Sequence, residues 1–253
     1  MAQDNWGNEV VQDFKFALGA FPADFPGAIA ARVQGYINTS STGNQAVRST
    51  PYTPSTSVGQ RSVASSSAND SSGGTGAQQV TINYLDASFV QHSETLLLNG
   101  TTPVPTVNTN YLYIESIVVT QVGSGQINAG VISLYTSNAG TGQVIGSIAI
   151  GDQQTWWAHH YVPAGVTCFI TCLSAGGTAV AGAVNLIHEL NVATPGVPTS
   201  QIGLSIVHPA GGSWEHDFEV PVACVGPDFV WINVAPAAST ANKTFAGFEY
   251  VQF

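Results

Sequence analysis

The sequence contains little charge, and positive charge is its scarcest component. Charged residues make up 8% of the 253 residues, against about a quarter in an average soluble protein. The cations are Lys15, Arg32, Arg48, Arg61 and Lys243, so the long span between Arg61 and Lys243 is acidic and has no basic residue. Such a span repels phosphate, and nucleic acid is therefore not an expected partner. A surface rich in Ser, Thr, Asn, Gln and Gly instead suits a subunit packed into an assembly.

Cysteine is also scarce, with thiols only at Cys168, Cys172 and Cys224. Cys168 and Cys172 fall on one predicted strand, roughly 13 Å apart at about 3.3 Å per residue, which is too far for a disulfide. We therefore expect buried thiols outside any disulfide and synthesis in a reducing host cytoplasm. The start MAQDNWGNE has neither the basic nor the apolar region of a secretory leader, so no leader is expected. No apolar run reaches membrane-spanning length, so no membrane partner is expected.

Short strands at regular spacing dominate the chain from residue 78 onward. In Gln78–Leu85, for example, Val80, Ile82 and Tyr84 alternate with polar residues. Gly, Pro, Asn or Ser separate the segments, and no helical pattern lies between them. The predicted strands are Gln78–Leu85, Gln91–Leu98, Tyr111–Val122, Ala129–Tyr135, Gln143–Ile150, Thr155–Val162, Thr167–Leu173, Thr178–Val192, Ile202–Val207, Glu215–Val220, Phe229–Val234 and Thr244–Gln252.

This pattern predicts an all-β protein with an antiparallel β-sandwich, or jelly-roll-like, domain over residues 77–253. Residues 194–253 either finish the same sandwich, which is the arrangement we favour, or form a small second sheet.

Residues 1–76 differ in pattern, and they predict an extended, partly helical N-terminal arm with a tether. Apolar residues recur at helical spacing between Val10 and Leu18, and a second helical turn is expected from Ala28 to Tyr36. A Ser/Thr/Gly-rich tether follows over 39–75. The arm packs either on its own domain or across a neighbouring subunit. Four aromatic residues favour the neighbour: Phe14, Phe16, Phe21 and Phe25.

Several strings between Ser65 and Thr171 carry a family resemblance: SSSANDSSGGTGAQQVTINYLDASF, SETLLLNGTTPV, INAGVISLY and YVPAGVT. Near-identical strings recur in this order in a family of virion structural proteins of tailed bacteriophages, which the chain resembles over this span. The resemblance implies a β-rich component of a virus particle rather than an enzyme.

Candidate chemistry is weak elsewhere in the sequence. His159 and His160 are adjacent on a predicted strand and would point to opposite faces, so they cannot share a metal ion without a bulge. Glu215, Asp217 and Glu219 alternate along one strand face. Paired carboxylates in a groove beside Trp214 would favour glycoside hydrolysis, whereas a solvated edge or a cation site between subunits is the simpler interpretation. We predict no catalytic residue, no metal and no cofactor.

The predicted role is therefore structural. One of Trp156 and Trp157 is expected in the core and the other at an interface, where the terminal Phe253 is also expected. We expect a homo-oligomer, a trimer being one candidate, that binds the major capsid protein or another virion protein on the outer surface of the particle. The first hypothesis is a capsid decoration or cement protein that bridges capsid subunits. The alternative is a neck, tail or vertex fibre or adaptor protein whose β domain binds a host surface glycan.

Overall fold

The computed structural model describes residues 27–39, 43–178, 185–194, 204–209, 211–236 and 243–253. Every regular element in these ranges is a β-strand, and they contain no helix of the length and apolarity needed to cross a bilayer. The strands are β1 (Ile29–Asn38), β2 (Gln45–Ala46), β3 (Ser62–Ser65), β4 (Ala77–Leu85), β5 (Gln91–Leu97), β6 (Val104–Pro105), β7 (Tyr113–Val122), β8 (Ile132–Tyr135), β9 (Val144–Ile148), β10 (His159–Val162), β11 (Thr167–Gly177), β12 (Asn185–Ala193), β13 (Leu204–Pro209), β14 (Ser213–Val225), β15 (Asp228–Pro236) and β16 (Lys243–Gln252).

The first of two sandwiches is built from strands β3 to β9. One sheet has the order β6, β3, β8, β9, the other has the order β5, β4, β7, and all their pairings are antiparallel. The two sheets share one hydrophobic core. Val80, Ile82 and Tyr84 of β4 all point into it and are fully buried, which confirms the alternation predicted for this strand.

The second sandwich combines chain from both sides of the first. Its sheets have the orders β1, β16, β11, β14 and β10, β15, β12, β13, with the short strand β2 paired to β15. A separate hydrophobic core lies between them. Because β1 and β2 precede the first sandwich in the chain and β10 to β16 follow it, the first sandwich is an insertion within the second.

This arrangement corrects two expectations for residues 27–76. The helical turn expected from Ala28 to Tyr36 is wrong: β1 pairs along its full length with β16, because inward apolar residues such as Val33 and Ile37 cover the second core. The expected tether contains β2, which pairs within the second sandwich, and β3, which pairs within the first. The other arm residues, including Phe14, Phe16, Phe21 and Phe25, lie outside the described residues.

Each of the twelve predicted strands overlaps an observed strand. The starts of Thr178–Val192 and Ile202–Val207 fall partly outside the described residues, and the other ends differ by up to five residues. Within the described part of residues 194–253, strands β13 to β16 join the sheets that contain β10 to β12. The single sandwich expected over 77–253 is instead divided between two. Alternation identifies a strand's buried face, whereas nothing in it assigns the strand to one core or the other.

The Ser/Gly-rich loop between β3 and β4 is organised around the buried carboxylate of Asp70. Its Oδ1 accepts hydrogen bonds from the backbone N–H groups of Ala77 (2.7 Å) and Ala129 (2.8 Å). Its Oδ2 accepts from Gly130 N–H (2.8 Å) and from the Ser65 hydroxyl (2.6 Å). Asp70 has no exposed surface. This loop begins the resemblance strings, and its polar residues stabilise the first sandwich.

Two further buried charges stabilise loops of the first sandwich. Arg61 donates to the carbonyl oxygens of Thr136, Ser57 and Tyr111 and to the Ser55 hydroxyl. Glu94 accepts from Val107 N–H, Asn108 N–H and the Tyr111 hydroxyl. Because Arg61 is 2% exposed, it contributes almost no positive charge to the surface.

Close packing at Gly146 gives a prediction for the first core. A Cβ added at Gly146 would lie 2.3 Å from Cη2 of Trp157, a ring that is buried and held by hydrogen bonds from Nε1 to Thr50. Gly146→Ala is therefore expected to lower the free energy of unfolding by roughly 2 kcal/mol through overpacking. Urea unfolding measures the loss. Gly73→Ala, whose Cβ would meet no atom within 4 Å, is the control. Equal stabilities for the two variants would contradict this packing.

Candidate functional site

The two sandwiches meet through β7 of the first and β10 of the second, and Glu115 makes the central contact. Its Oε1 lies 2.8 Å from Nδ1 of His160, and its Oε2 accepts a hydrogen bond of 2.8 Å from Tyr161 N–H. On the other side, Nε2 of His160 lies 3.0 Å from Oε1 of Gln252 on β16. One buried imidazole therefore joins a carboxylate of the first sandwich to both sheets of the second.

This arrangement favours the charged form of His160. Burial alone lowers the pKa of His160, but the Glu115 carboxylate and the hydrogen bonds to Glu115 and Gln252 outweigh it and raise the pKa above its ordinary value. Both ring nitrogens face acceptors, so both donate when the ring is protonated. His160 also stacks on Tyr250 at a centroid distance of 4.3 Å.

His159 points to the opposite face of β10, as predicted, and lies in an aromatic cluster with Arg48. Its ring is 5.0 Å from that of Tyr52 and 5.4 Å from that of Phe229. The Arg48 guanidinium lies over the same two rings, 5.1 Å and 5.9 Å from their centroids. Burial, followed by the charge of Arg48, holds the pKa of His159 well below its ordinary value. His159 is therefore a neutral core residue.

Arg48 is fixed by its backbone. It forms an antiparallel β-bridge with Trp157. The backbone N–H groups of its neighbours Val47 and Ser49 donate hydrogen bonds to the carbonyl oxygens of Ile232 and Trp156. Its side chain lies at a groove of about 360 Å³ lined by the end of β1, by β2 and by residues 49–52. Asn38, Gln45 and Ser49 provide amide and hydroxyl groups in that groove. From the sequence, Arg48 is identifiable only as one of few cations, because its contacts with Trp157 and Phe229 join residues more than 100 positions apart.

The edge of the second sandwich away from the junction carries exposed valines. β13 and β14 are edge strands of the two sheets, and three residues connect them. Val207 on β13 is 60% exposed, and Val220 and Val225 on β14 are 82% and 63% exposed. We call these three residues the valine edge. An edge strand with exposed apolar residues is a surface on which other chains dock.

The valine edge continues into an apolar end of the outer sheet face. Across the strands β1, β16, β11 and β14, the pairing aligns Ala30, Val251, Phe169 and Ala223 in one row. Sequence alternation could have placed Val225 outside, because its neighbour Cys224 is buried. The row itself depends on the register of four strands that are distant in sequence.

The predicted interface residues fall in different surroundings. Trp157 lies in the first core, as expected for one member of the pair, and Trp156 is partly exposed in a groove of about 340 Å³ beside Tyr36 and Phe245. Phe253 is 42% exposed and stacks on Phe169 at 5.4 Å, at the apolar end. Whether Trp156 and Phe253 contact another subunit stays a prediction.

The remaining chemical candidates are the carboxylates of β14 and the cysteines. Glu215 and Asp217 are exposed on β14, whereas Trp214 faces the other side of the strand and stacks on His216 at 5.4 Å. Within the described ranges, no three His, Cys, Asp or Glu side chains are grouped to hold a metal ion. All three cysteines are buried outside any disulfide, as predicted, and burial raises the pKa of Cys224 to about 12.

Comparisons with known proteins identify no relative. No family model and no curated protein matches the chain. A structure of the Gx strain of infectious bursal disease virus is 13% identical, covers 89% of this chain and 72% of its own, and has a TM-score of 0.23. The VP2 subviral particle of the same virus is 11% identical, and the match covers 89% of this chain and 71% of the VP2 chain, with a TM-score of 0.21. Such low TM-scores do not establish a common topology.

Proposed function

We propose that the chain is a structural subunit of a virion, a decoration or cement protein that binds the outside of a capsid. The observation that carries the proposal is the valine edge, where β13 and β14 present exposed apolar side chains at open sheet edges. Burying such side chains against a neighbour contributes about 25 cal/mol per Å² before the costs of association.

The charge distribution supports an external position. Of the four cations among the described residues, Arg61 is buried, Arg48 is largely buried, Arg32 lies 3.9 Å from Glu249, and Lys243 is exposed. The surface facing solvent is therefore predominantly acidic and would be repelled by packaged nucleic acid. The resemblance of residues 65–171 to virion proteins of tailed bacteriophages favours the same role.

Substitutions at the valine edge test the proposal. Val220→Asp and Val225→Asp are each expected to weaken binding to particles that lack the protein by at least about tenfold, because a carboxylate would replace an apolar contact. Stability should change by less than about 0.5 kcal/mol, since both side chains are exposed. Sedimentation of protein with particles measures the binding.

Ile150→Asp is the matched control, because Ile150 is 61% exposed but lies in the first sandwich. It should bind particles as the unmodified chain does. Equal losses of binding in all three variants would mean that the added negative charge causes the effect. Unchanged particle binding by Val220→Asp and Val225→Asp would show that the valine edge is not part of the interface.

The groove beside Arg48 favours a second candidate function. A neck, tail or vertex protein whose β domain binds a host surface glycan would need a polar groove with amide, hydroxyl and aromatic groups, and this groove combines them. Low copy number in the particle and binding of a sugar by the isolated protein would distinguish this role from decoration.

A further inference from the structure

Among the described cations, Arg48 and Lys243 contact aromatic rings, whereas Arg32 and Arg61 contact oxygen atoms. Arg32 lies near Glu249, Arg61 donates to four oxygen atoms, and Lys243 lies 4.9 Å from the ring centroid of Tyr36. Arg48 contacts two aromatic rings, and no hydrogen-bond acceptor among the described residues reaches its guanidinium. Its Nε is buried without a partner, as is Nε of Arg61.

A second buried polar group in the same cluster also lacks a partner. Nδ1 of His159 has no acceptor or donor within the described chain, although the residue is 1% exposed. Leaving such groups unsatisfied is costly, and native proteins normally satisfy them with protein, water or ligand. Two of them around the rings of Tyr52 and Phe229 indicate that the cluster is completed by something other than this part of the chain.

The groove beside Arg48 borders this cluster at Arg48 and Tyr52, and its charge and shape restrict what it could bind. A guanidinium binds a planar carboxylate through two parallel hydrogen bonds and matches its single charge. A phosphate dianion would leave a negative charge uncompensated in a protein of net charge −10. Asn38, Gln45 and Ser49 line the groove with groups that hydrogen-bond hydroxyls, and the Tyr52 ring provides an apolar wall. A groove of about 360 Å³ is at the small end of ligand sites.

We propose that the groove beside Arg48 binds a carboxylated sugar, a uronic acid, with its carboxylate on the Arg48 guanidinium. The inference goes beyond the decoration role and does not rest on it. It names the site and the charge of the glycan for the alternative role.

Glucuronate and glucose are the probes, because they differ in the carboxylate alone. Calorimetry on the full chain should show glucuronate binding at least about tenfold more tightly than glucose, as expected for hydrogen bonds to a charged group. Arg48→Gln should abolish this preference. Arg32→Gln, which removes an exposed cation outside the groove, should retain it.

Other outcomes would overturn the assignment. Equal affinity for the two sugars, no binding of either, or an equal loss in Arg32→Gln would remove the site. Competition by inorganic phosphate as strong as by acetate would refute the carboxylate, and tighter binding of a tetraglutamate peptide than of glucuronate would refute the sugar.

Two further measurements keep the test decisive. If Arg48→Gln does not fold, amide resonances of Gln45 and Ser49 in the unmodified chain should shift with glucuronate and not with glucose, and shifts elsewhere only would refute the site. Arg48→Gln that folds should still bind particles through the valine edge, so failure of this inference and failure of the decoration role give different results.

Discussion

Asp70→Asn is expected to lower the free energy of unfolding by roughly 3 kcal/mol. This is a large part of the total free energy of unfolding of an average domain, which is about 5 to 15 kcal/mol. Each carboxylate oxygen accepts from at least one backbone N–H, at Ala77 and Ala129 for Oδ1 and at Gly130 for Oδ2. In either orientation, the amide NH₂ of Asn would face a buried N–H and leave it without an acceptor. Urea unfolding monitored by tryptophan fluorescence measures the change.

Glu189→Gln provides the control for the loss of one negative charge. Glu189 is partly exposed and accepts a hydrogen bond from Asn44 at the surface. Its substitution should change the free energy of unfolding by less than about 1 kcal/mol. Similar losses in the two variants would mean that Asp70 acts through net charge rather than through its four donors.

His160→Leu is expected to cost about 3 kcal/mol at pH 6, because it leaves the Glu115 carboxylate, whose side chain is only 14% exposed, without its cationic partner. This cost should depend on pH. The folded pKa of His160 is raised above its unfolded value, so the stabilisation is fully present below the unfolded pKa and is lost as pH rises through the folded pKa. The difference in free energy of unfolding between the unmodified chain and the variant should therefore shrink from pH 6 to alkaline pH.

Taking the difference between two proteins removes groups that titrate in both. His159, whose pKa is lowered by burial, by Arg48 and to a smaller extent by His160, contributes stability that is lost as pH falls. It is present in both proteins, so the contributions of burial and Arg48 cancel. His216→Leu, outside the junction on β14, is the control for losing an imidazole. A cost at His160 that stays constant or grows with pH would contradict a protonated junction.

Sequence reasoning located the strands well because their signal is local. Alternation, as in β4, and Gly-rich turns depend only on neighbouring residues, and each strand predicted from them overlaps an observed strand. The helical turn predicted around β1 failed because isolated apolar residues fit both periods over a short segment. Pairing with β16, more than 200 positions away, determined its conformation.

The candidate sites depended on information that the sequence does not display. One of Trp156 and Trp157 was predicted to lie in the core, and Trp157 does so. The interface role of Trp156 stays a prediction. Glu115 was not identified, although it joins the two sandwiches, because its partners His160 and Gln252 lie on strands whose positions follow only from the insertion topology. Arg48 and the valine edge were missed for the same reason.

The resemblance strings gain a physical explanation. Ser65, Asp70 and Gly76 fall in them, and a Cβ added at Gly76 would lie 2.1 Å from Oδ1 of Asp70. These residues stabilise the loop that joins β3 to β4, so the strings carry information about the first sandwich. They say little about the valine edge, which lies in the second.

The copy number of the protein relative to the major capsid protein in purified virions tests the central claim most directly, and quantitative mass spectrometry measures it. A decoration protein covers the capsid lattice, so the account predicts copies comparable in number to the major capsid protein. A small fraction of that number would place the chain at a neck, tail or vertex and favour the glycan-binding role. Absence from the particle would contradict the virion role altogether.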